Sequence, residues 1–411
     1  MDSADQRFGD REALVSLHQG IKKTFSEAKL EADKLAAAFL SLGLQRGERI
    51  GIWGQNTYEW YLTQYAAAKA GLILVNINPM YQANELKFCL NEVSVKALVC
   101  DESFKTTNYY QMLCQVAPEL SNSVKGEFQS KTLPSLKTII MMTNQNYSGI
   151  YRFKDVCEAG ESTHLKELES LSKKIQFDEP GNIQFTSGTT GQPKGSVLSH
   201  HGLVNNAYAV GYRSGYAKKA HRIILPVPLN HSFGCVLGTL TAAHFGATCV
   251  LPSSSYDPKA TVQALQDEKI TSCYGTPTMF VDFLNVQRSK KCNMQNLSTA
   301  VMGAAPCPKE LILAVTEELH MKNILVMYGT TETSPITFHS YTDDPPNVRA
   351  TTIGYPGDHV EVKVIDNDGN ITRIGKPGEL CIRGYCSFLG YWNNPEKTKE
   401  VLLESRWYKT G

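Results

Sequence analysis

Apolar positions recur along most of the chain in two alternating rhythms. After Thr24, the residues Ala28, Ala32, Leu35, Ala36, Phe39 and Leu42 fall at intervals of three and four, the period of a helix with one buried face. Thr24, with Glu27 three residues on, is a capping-box signature for the start of that helix, and Gly43 supplies its stop. Short, mostly apolar strand-like runs follow at 49–53, 72–75 and 95–100, separated by helix-patterned segments at 58–70 and 84–92. Strand and helix alternating over short links predict βαβ units around a largely parallel sheet. The pattern is less definite over 118–180, where a strand at 137–142 and a helix at 163–175 are expected before Asp178, Glu179, Pro180 and Gly181 interrupt it. It resumes with strands expected at 223–227, 248–251, 299–302 and 325–327, and helices at 260–269 and 309–319. From about 360 the apolar runs shorten and are split by Asp368-Gly369 and Pro377-Gly378, which predicts hairpins and a small β subdomain. The expected fold class is α/β. It has two βαβ-type subdomains with largely parallel sheets, at about 1–180 and 181–350, and a small β subdomain at about 351–411.

Composition narrows the partners. The 411 residues exceed one ordinary domain and can bury large cores. Lysine and arginine number 41 against 40 acidic residues, a net charge of 41 − 40 = +1, so no basic excess points to nucleic acid or an anionic membrane. No apolar run approaches the length of a spanning helix. The eleven cysteines form no Cys-x-x-Cys pair and no zinc-finger spacing with histidine, which favours reduced thiols in a cell interior. The opening residues Met1-Asp2-Ser3-Ala4-Asp5 carry neither a secretory nor an Arg-rich transit pattern. Nothing in the composition fixes an oligomeric state.

The densest chemistry is the run Thr186, Ser187, Gly188, Thr189, Thr190, Gly191, Gln192, Pro193, Lys194 and Gly195. It lies between apolar segments and offers little to a core. Gly-rich backbone exposes N–H groups that can converge on anionic oxygens, hydroxyls add donors, and Lys194 adds a mobile charge. Most clusters of this composition are polar surface loops. The spacing of the P-loop nucleotide hydrolases fails here, because no hydroxyl residue follows Lys194 and Pro193 interrupts the approach to it. Three further segments sit at strand exits or between apolar neighbours. Tyr328-Gly329-Thr330-Thr331-Glu332 pairs an aromatic face with hydroxyls and a carboxylate, although Thr-Thr-Glu taken alone is more often a helix N-cap. Met302-Gly303-Ala304-Ala305-Pro306 leaves room for a ligand or makes a tight turn. His231, in Pro228-Leu229-Asn230-His231-Ser232-Phe233-Gly234, is a lone histidine of the kind that is usually structural. No Gly-x-Ser-x-Gly elbow or cysteine nucleophile signature is present.

The run at 186–195 resembles the signature loop of the adenylate-forming superfamily, which holds acyl-CoA synthetases, luciferases and peptide-synthetase adenylation domains; every fixed position is matched. The 328–332 pentapeptide matches the second signature. The resemblance covers essentially the whole chain and implies the superfamily's N-terminal core. It implies that residues Thr186 to Lys194 and Tyr328 to Thr331 bind ATP, with Tyr328 on adenine, Thr331 at the α-phosphate and Gly303, Ala304 and Ala305 as walls. Glu332 would hold Mg²⁺, Lys194 would neutralise phosphate charge, and His231 would sit at the substrate carboxylate. The motif from Gly378 through Gly390-Tyr391-Trp392 to Thr398 is implied to be structural. Tyr58-Glu59-Trp60, Asn76-Ile77-Asn78-Pro79-Met80-Tyr81, Gln192 and Ser196 are similar to the medium-chain acyl-CoA ligases. That branch activates a fatty acid with ATP and passes it to CoA in the mitochondrial matrix.

In the superfamily, Tyr-x-Thr-Gly continues into an Asp that binds the ribose. A hinge Arg and a domain of about 100 residues follow, bringing a lysine for the adenylation step. Ending at Trp407-Tyr408-Lys409-Thr410-Gly411, the chain is expected to be cut before that domain. It is then expected to bind nucleotide weakly and turn over poorly, since one lost preorganised charge costs about 10²–10³ in rate. Two alternatives stay open: an adenylating ligase for another carboxylic acid, and a non-catalytic nucleotide-binding fragment.

Overall fold

The computed structural model describes residues 1–159, 162–186 and 192–411. Two large sheets carry most of the chain, and both have parallel interiors. The nine-stranded sheet runs, edge to edge, Tyr355–Pro356, Phe338–His339, Asn323–Tyr328, Thr299–Gly303, Ser272–Gly275, Arg222–Ile224, Thr248–Leu251, Glu12–Ser16, Ile21–Thr24. Its six central strands are parallel and its outer pairings antiparallel. The eight-stranded sheet runs Gly390–Tyr391, Lys194–Ser199, Pro180–Thr186, Ile73–Ile77, Arg49–Trp53, Val95–Asp101, Thr138–Met142, Tyr151–Arg152. A separate antiparallel sheet of Val360–Ile365, Glu379–Gly384 and Tyr408–Lys409 is the small β subdomain the sequence led us to expect.

Both large sheets are covered on both faces, as parallel sheets require. Strand side chains alternate between cores. Ile50, Ile52, Leu74, Cys249, Leu251 and Val301 enter a central core with the helices Phe25–Ser41, Tyr58–Lys69 and His200–Arg213. Val75, Leu98 and Cys100 face the helices Ala83–Glu92 and Tyr109–Val116 instead. Val250, Ala300 and Met302 face Pro258–Asp267, Pro277–Lys290 and Lys309–Glu318. The Phe25–Ser41 helix begins with the expected capping box, in which Glu27 N donates to Thr24 Oγ1 at 3.2 Å and Thr24 N donates to Glu27 Oε2 at 2.8 Å.

The linear boundaries at 180 and 350 are not respected by the sheets. The hairpin Pro180–Thr186 and Lys194–Ser199 joins Ile73–Ile77 in the eight-stranded sheet, and so does Gly390–Tyr391. Conversely, Glu12–Ser16 pairs in parallel with Thr248–Leu251 in the other sheet. Pairing follows whichever sheet edge is open in space, and separations of this size leave no periodic trace in sequence. Pro180 opens its strand rather than breaking it, the one place a proline costs a strand no ladder bond. No helix among the described residues is long and apolar enough to cross a membrane. All eleven cysteines are free.

Candidate active site

Thr186 stands opposite Lys194 as the last pair of the antiparallel hairpin. Ser187, Gly188, Thr189, Thr190 and Gly191, between them, lie outside the described residues. Gln192 is exposed, and Thr186, Pro193 and Lys194 are half-buried. The base of the loop is therefore anchored in the eight-stranded sheet, and Gly195 accepts a further backbone bond from Trp392 N at 2.8 Å.

The second segment comes from the nine-stranded sheet. Thr299–Gly303 and Asn323–Tyr328 are adjacent parallel strands with Gly303 opposite Met327. Their carboxyl ends are where open α/β sheets bind ligands. There Gly303, Ala304, Gly329, Thr330 and Thr331 line a cavity of about 270 Å³ together with His231, Ser232, Phe233 and Leu237. Ala304 has a left-handed backbone (φ 68°). Thr330 and Thr333 close the turn: Thr330 N donates to Thr333 Oγ1 at 3.0 Å, and Thr333 N to Thr330 O at 3.0 Å. Thr330 thus precedes a single three-residue 3₁₀ turn, Thr331–Thr333, and its own hydroxyl makes no cap bond. Ala305 is exposed and Tyr328 half-buried, and neither belongs to the lining; the Tyr328 ring packs edge-on against Phe338 at 6.0 Å.

His231 caps the short turn Ser232–Gly234, where Phe233 N donates to its Nδ1 at 3.1 Å. Burial holds its pKa below the usual histidine value. A neutral ring that accepts at Nδ1 carries its proton on Nε2, so His231 offers one N–H donor. It lines the small cavity and also a second, more apolar one of about 550 Å³ beside it, which Phe233 and Ala304 share. Cys235, nearby in sequence, has its thiol pushed up to about 12 by burial and is no nucleophile.

Glu332 is buried at 7% exposure, and its carboxylate oxygen Oε1 accepts from the Tyr391 hydroxyl at 2.9 Å. Tyr391 lies on the strand paired with the Lys194-bearing strand, with Ser196 opposite Tyr391. Lys194 Nζ sits 4.9 Å from the centre of the Tyr391 ring. One side chain thereby ties the lysine on one sheet to the carboxylate on the turn Thr331–Thr333, which follows a strand of the other. Burial and the Glu332 charge also push up the phenols of Tyr391 and Tyr408. Sequence reasoning assigned these tyrosines no part in the site. The Gly390-Tyr391-Trp392 motif is the available signal; it reads as a hairpin and short helix, structural within the family too, and its partner Glu332 lies 59 residues away. Among the described residues no three His, Cys, Asp or Glu side chains gather as a metal cluster.

Comparison with known proteins places this geometry. The family model of the AMP-binding enzymes matches residues 1–392. A medium-chain acyl-CoA ligase, ACSF2, mitochondrial, of Danio rerio is 45% identical over 408 residues, covering 99% of this chain and 67% of that protein. The Homo sapiens protein of the same name is 42% identical over 416 residues, covering 100% and 68%. Among solved structures, the anthranilate CoA ligase AuaEII in complex with anthranoyl-AMP superposes with a TM-score of 0.85 at 22% identity, covering 100% of this chain and 74% of that one. The N-terminal domain of FACL13 from Mycobacterium tuberculosis gives 0.80 at 19% identity, covering 100% and 94%. These structures share the α/β core with its small antiparallel sheet. The chain belongs to the AMP-binding enzyme family.

Proposed function

We propose that this chain carries the ATP and fatty-acid sites of a medium-chain acyl-CoA ligase. The observation that carries the reading is the convergence of Gly303, Ala304, Thr331 and His231 on one cavity, with Glu332 and Lys194 joined beside it through Tyr391. The names of the ACSF2 relatives support the acid class and a mitochondrial location.

In this reading the loop from Thr186 to Lys194 and the segment Tyr328 to Thr331 bind ATP, with Tyr328 beside the adenine, Thr331 at the α-phosphate and Gly303 and Ala304 forming a wall, Ala305 standing outside it. His231 donates its Nε2 proton in a hydrogen bond to the fatty-acid carboxylate and so aims it. The carboxylate oxygen then attacks the α-phosphorus, forming acyl-AMP as pyrophosphate leaves, with Lys194 offsetting phosphate charge. The thiol of CoA attacks the acyl carbon in the second step, forming the thioester as AMP leaves. No side-chain nucleophile is required. Glu332 would hold Mg²⁺: one buried carboxylate completed by substrate phosphates and water suits that ion better than a dedicated protein cage. When bound, it would neutralise phosphate charge.

Calorimetric titration with non-hydrolysable acyl-sulfamoyladenosines tests the reading. The octanoyl and decanoyl analogues are expected to bind more tightly than the hexadecanoyl, anthraniloyl or glycyl analogues. Tightest binding of an aryl or aminoacyl analogue would replace the fatty acid with that acid class.

A further inference from the structure

We infer that Tyr391 is a positioning residue for the metal–triphosphate end of the site, fixing the Glu332 carboxylate with its hydroxyl while its ring holds Lys194. The inference rests on the function proposed above and goes beyond it by naming what orients the two charged groups.

Tyr391 and Glu332 are both nearly buried, at 8% and 7% exposure, and their bond is 2.9 Å long. The hydroxyl engages Oε1, and the Tyr408 phenol stands beside the same carboxylate. The ring is itself clamped. Its strand pairs with the lysine strand, Tyr391 N donates to Thr398 Oγ1 at 2.9 Å, and Phe388 packs edge-on at 5.0 Å. Phe388 N in turn donates to the Glu332 backbone oxygen at 2.9 Å, locking the two segments together. Lys194 Nζ rests 4.9 Å from the ring centre, a cation–π distance that holds the ammonium near the carboxylate without spending either charge on an ion pair. A carboxylate neutralised by lysine would be a poorer ligand for a divalent cation.

The experiment compares the 411-residue wild type with Tyr391→Phe and Tyr391→Leu by calorimetry, titrating ATP with MgCl₂ and, separately, octanoyl-sulfamoyladenosine, which has no triphosphate. Tyr391→Phe is expected to weaken MgATP binding about tenfold, the lower range for a hydrogen bond to a charged group. Tyr391→Leu, which also removes the ring, is expected to weaken it about threefold more. Both variants should bind the octanoyl analogue within about twofold of wild type, which also reports a folded site. MgATP affinity in Tyr391→Phe equal to wild type would overturn the inference alone. A wild type that bound neither nucleotide would overturn the function reading and this inference with it. Equal losses for both ligands would mark Tyr391 as a scaffold residue and overturn the inference too.

Discussion

Gly329 packs so closely on Pro335 that an added β-carbon would lie 1.8 Å from the Pro335 carbonyl oxygen. No side chain fits without moving the segment that carries Thr331 and Glu332. Gly329→Ala is therefore expected to destabilise the chain by about 1–3 kcal/mol, the range for overpacking that shifts the backbone. It should also lower MgATP affinity at least about tenfold. Urea unfolding and calorimetry on the same variant check both effects.

Lys194 is half-buried at the base of its hairpin, opposite Thr186, so its charge can be removed with little loss of packing. Lys194→Gln is expected to weaken MgATP binding about tenfold, as a lost charge-assisted contact does. Octanoyl-sulfamoyladenosine binding should change little. Loss of both would show that the substitution disturbs the hairpin rather than the phosphate contact.

Leu237 lines the small cavity, on the irregular helical segment Cys235–Leu240 that follows His231. If the cavity receives the acyl chain, Leu237→Ala should shift preference toward longer acyl-sulfamoyladenosines. Each added buried methylene contributes about 0.8 kcal/mol, or about fourfold in affinity. A titration series of increasing acyl length measures the shift.

His339 is buried at 2% exposure, and burial together with the Arg213 charge lowers its pKa to about 3. The unfolded chain takes up this proton near pH 6.5, well before the folded one does. The contribution of neutral His339 is therefore fully present above about pH 6.5 and is lost as pH falls toward 3. The loss is about 1.4 kcal/mol per pH unit once the unfolded histidine is protonated. His339→Gln is expected to flatten the fall in unfolding free energy between pH 6.5 and 4.5, whatever it does to stability at pH 7.5. Urea titrations at those three pH values decide it.

Thr24 caps the central Phe25–Ser41 helix through reciprocal bonds with Glu27. Thr24→Ala is expected to lower stability by about 1 kcal/mol. Ligand affinity should be unchanged, because the cap is remote from the cavity.

Much of this protein is legible in its sequence, because the signals involved are local. The Thr24–Glu27 capping box, the three-and-four spacing from Ala28 to Phe39, and apolar runs such as Ile73–Ile77 depend on residues within one turn or one strand. The motifs proposed to bind ATP are equally local, and their resemblance to the adenylate-forming superfamily rests on runs of five and ten residues. Together these determine the α/β class, the small antiparallel sheet, and the candidate residues Lys194, His231, Thr331 and Glu332.

The tertiary structure decided how those pieces meet. Only the fold shows that the hairpin at Lys194 belongs to the sheet of Ile73–Ile77, or that Glu12–Ser16 completes a sheet built mostly from residues beyond 220. It also turned Tyr391 from a motif residue into the link between Lys194 and Glu332. The physical reason is common to all three. Strand pairing and a buried phenol–carboxylate bond reward closeness in space at any separation along the chain, and a linear pattern carries no record of which distant edge or side chain will be there.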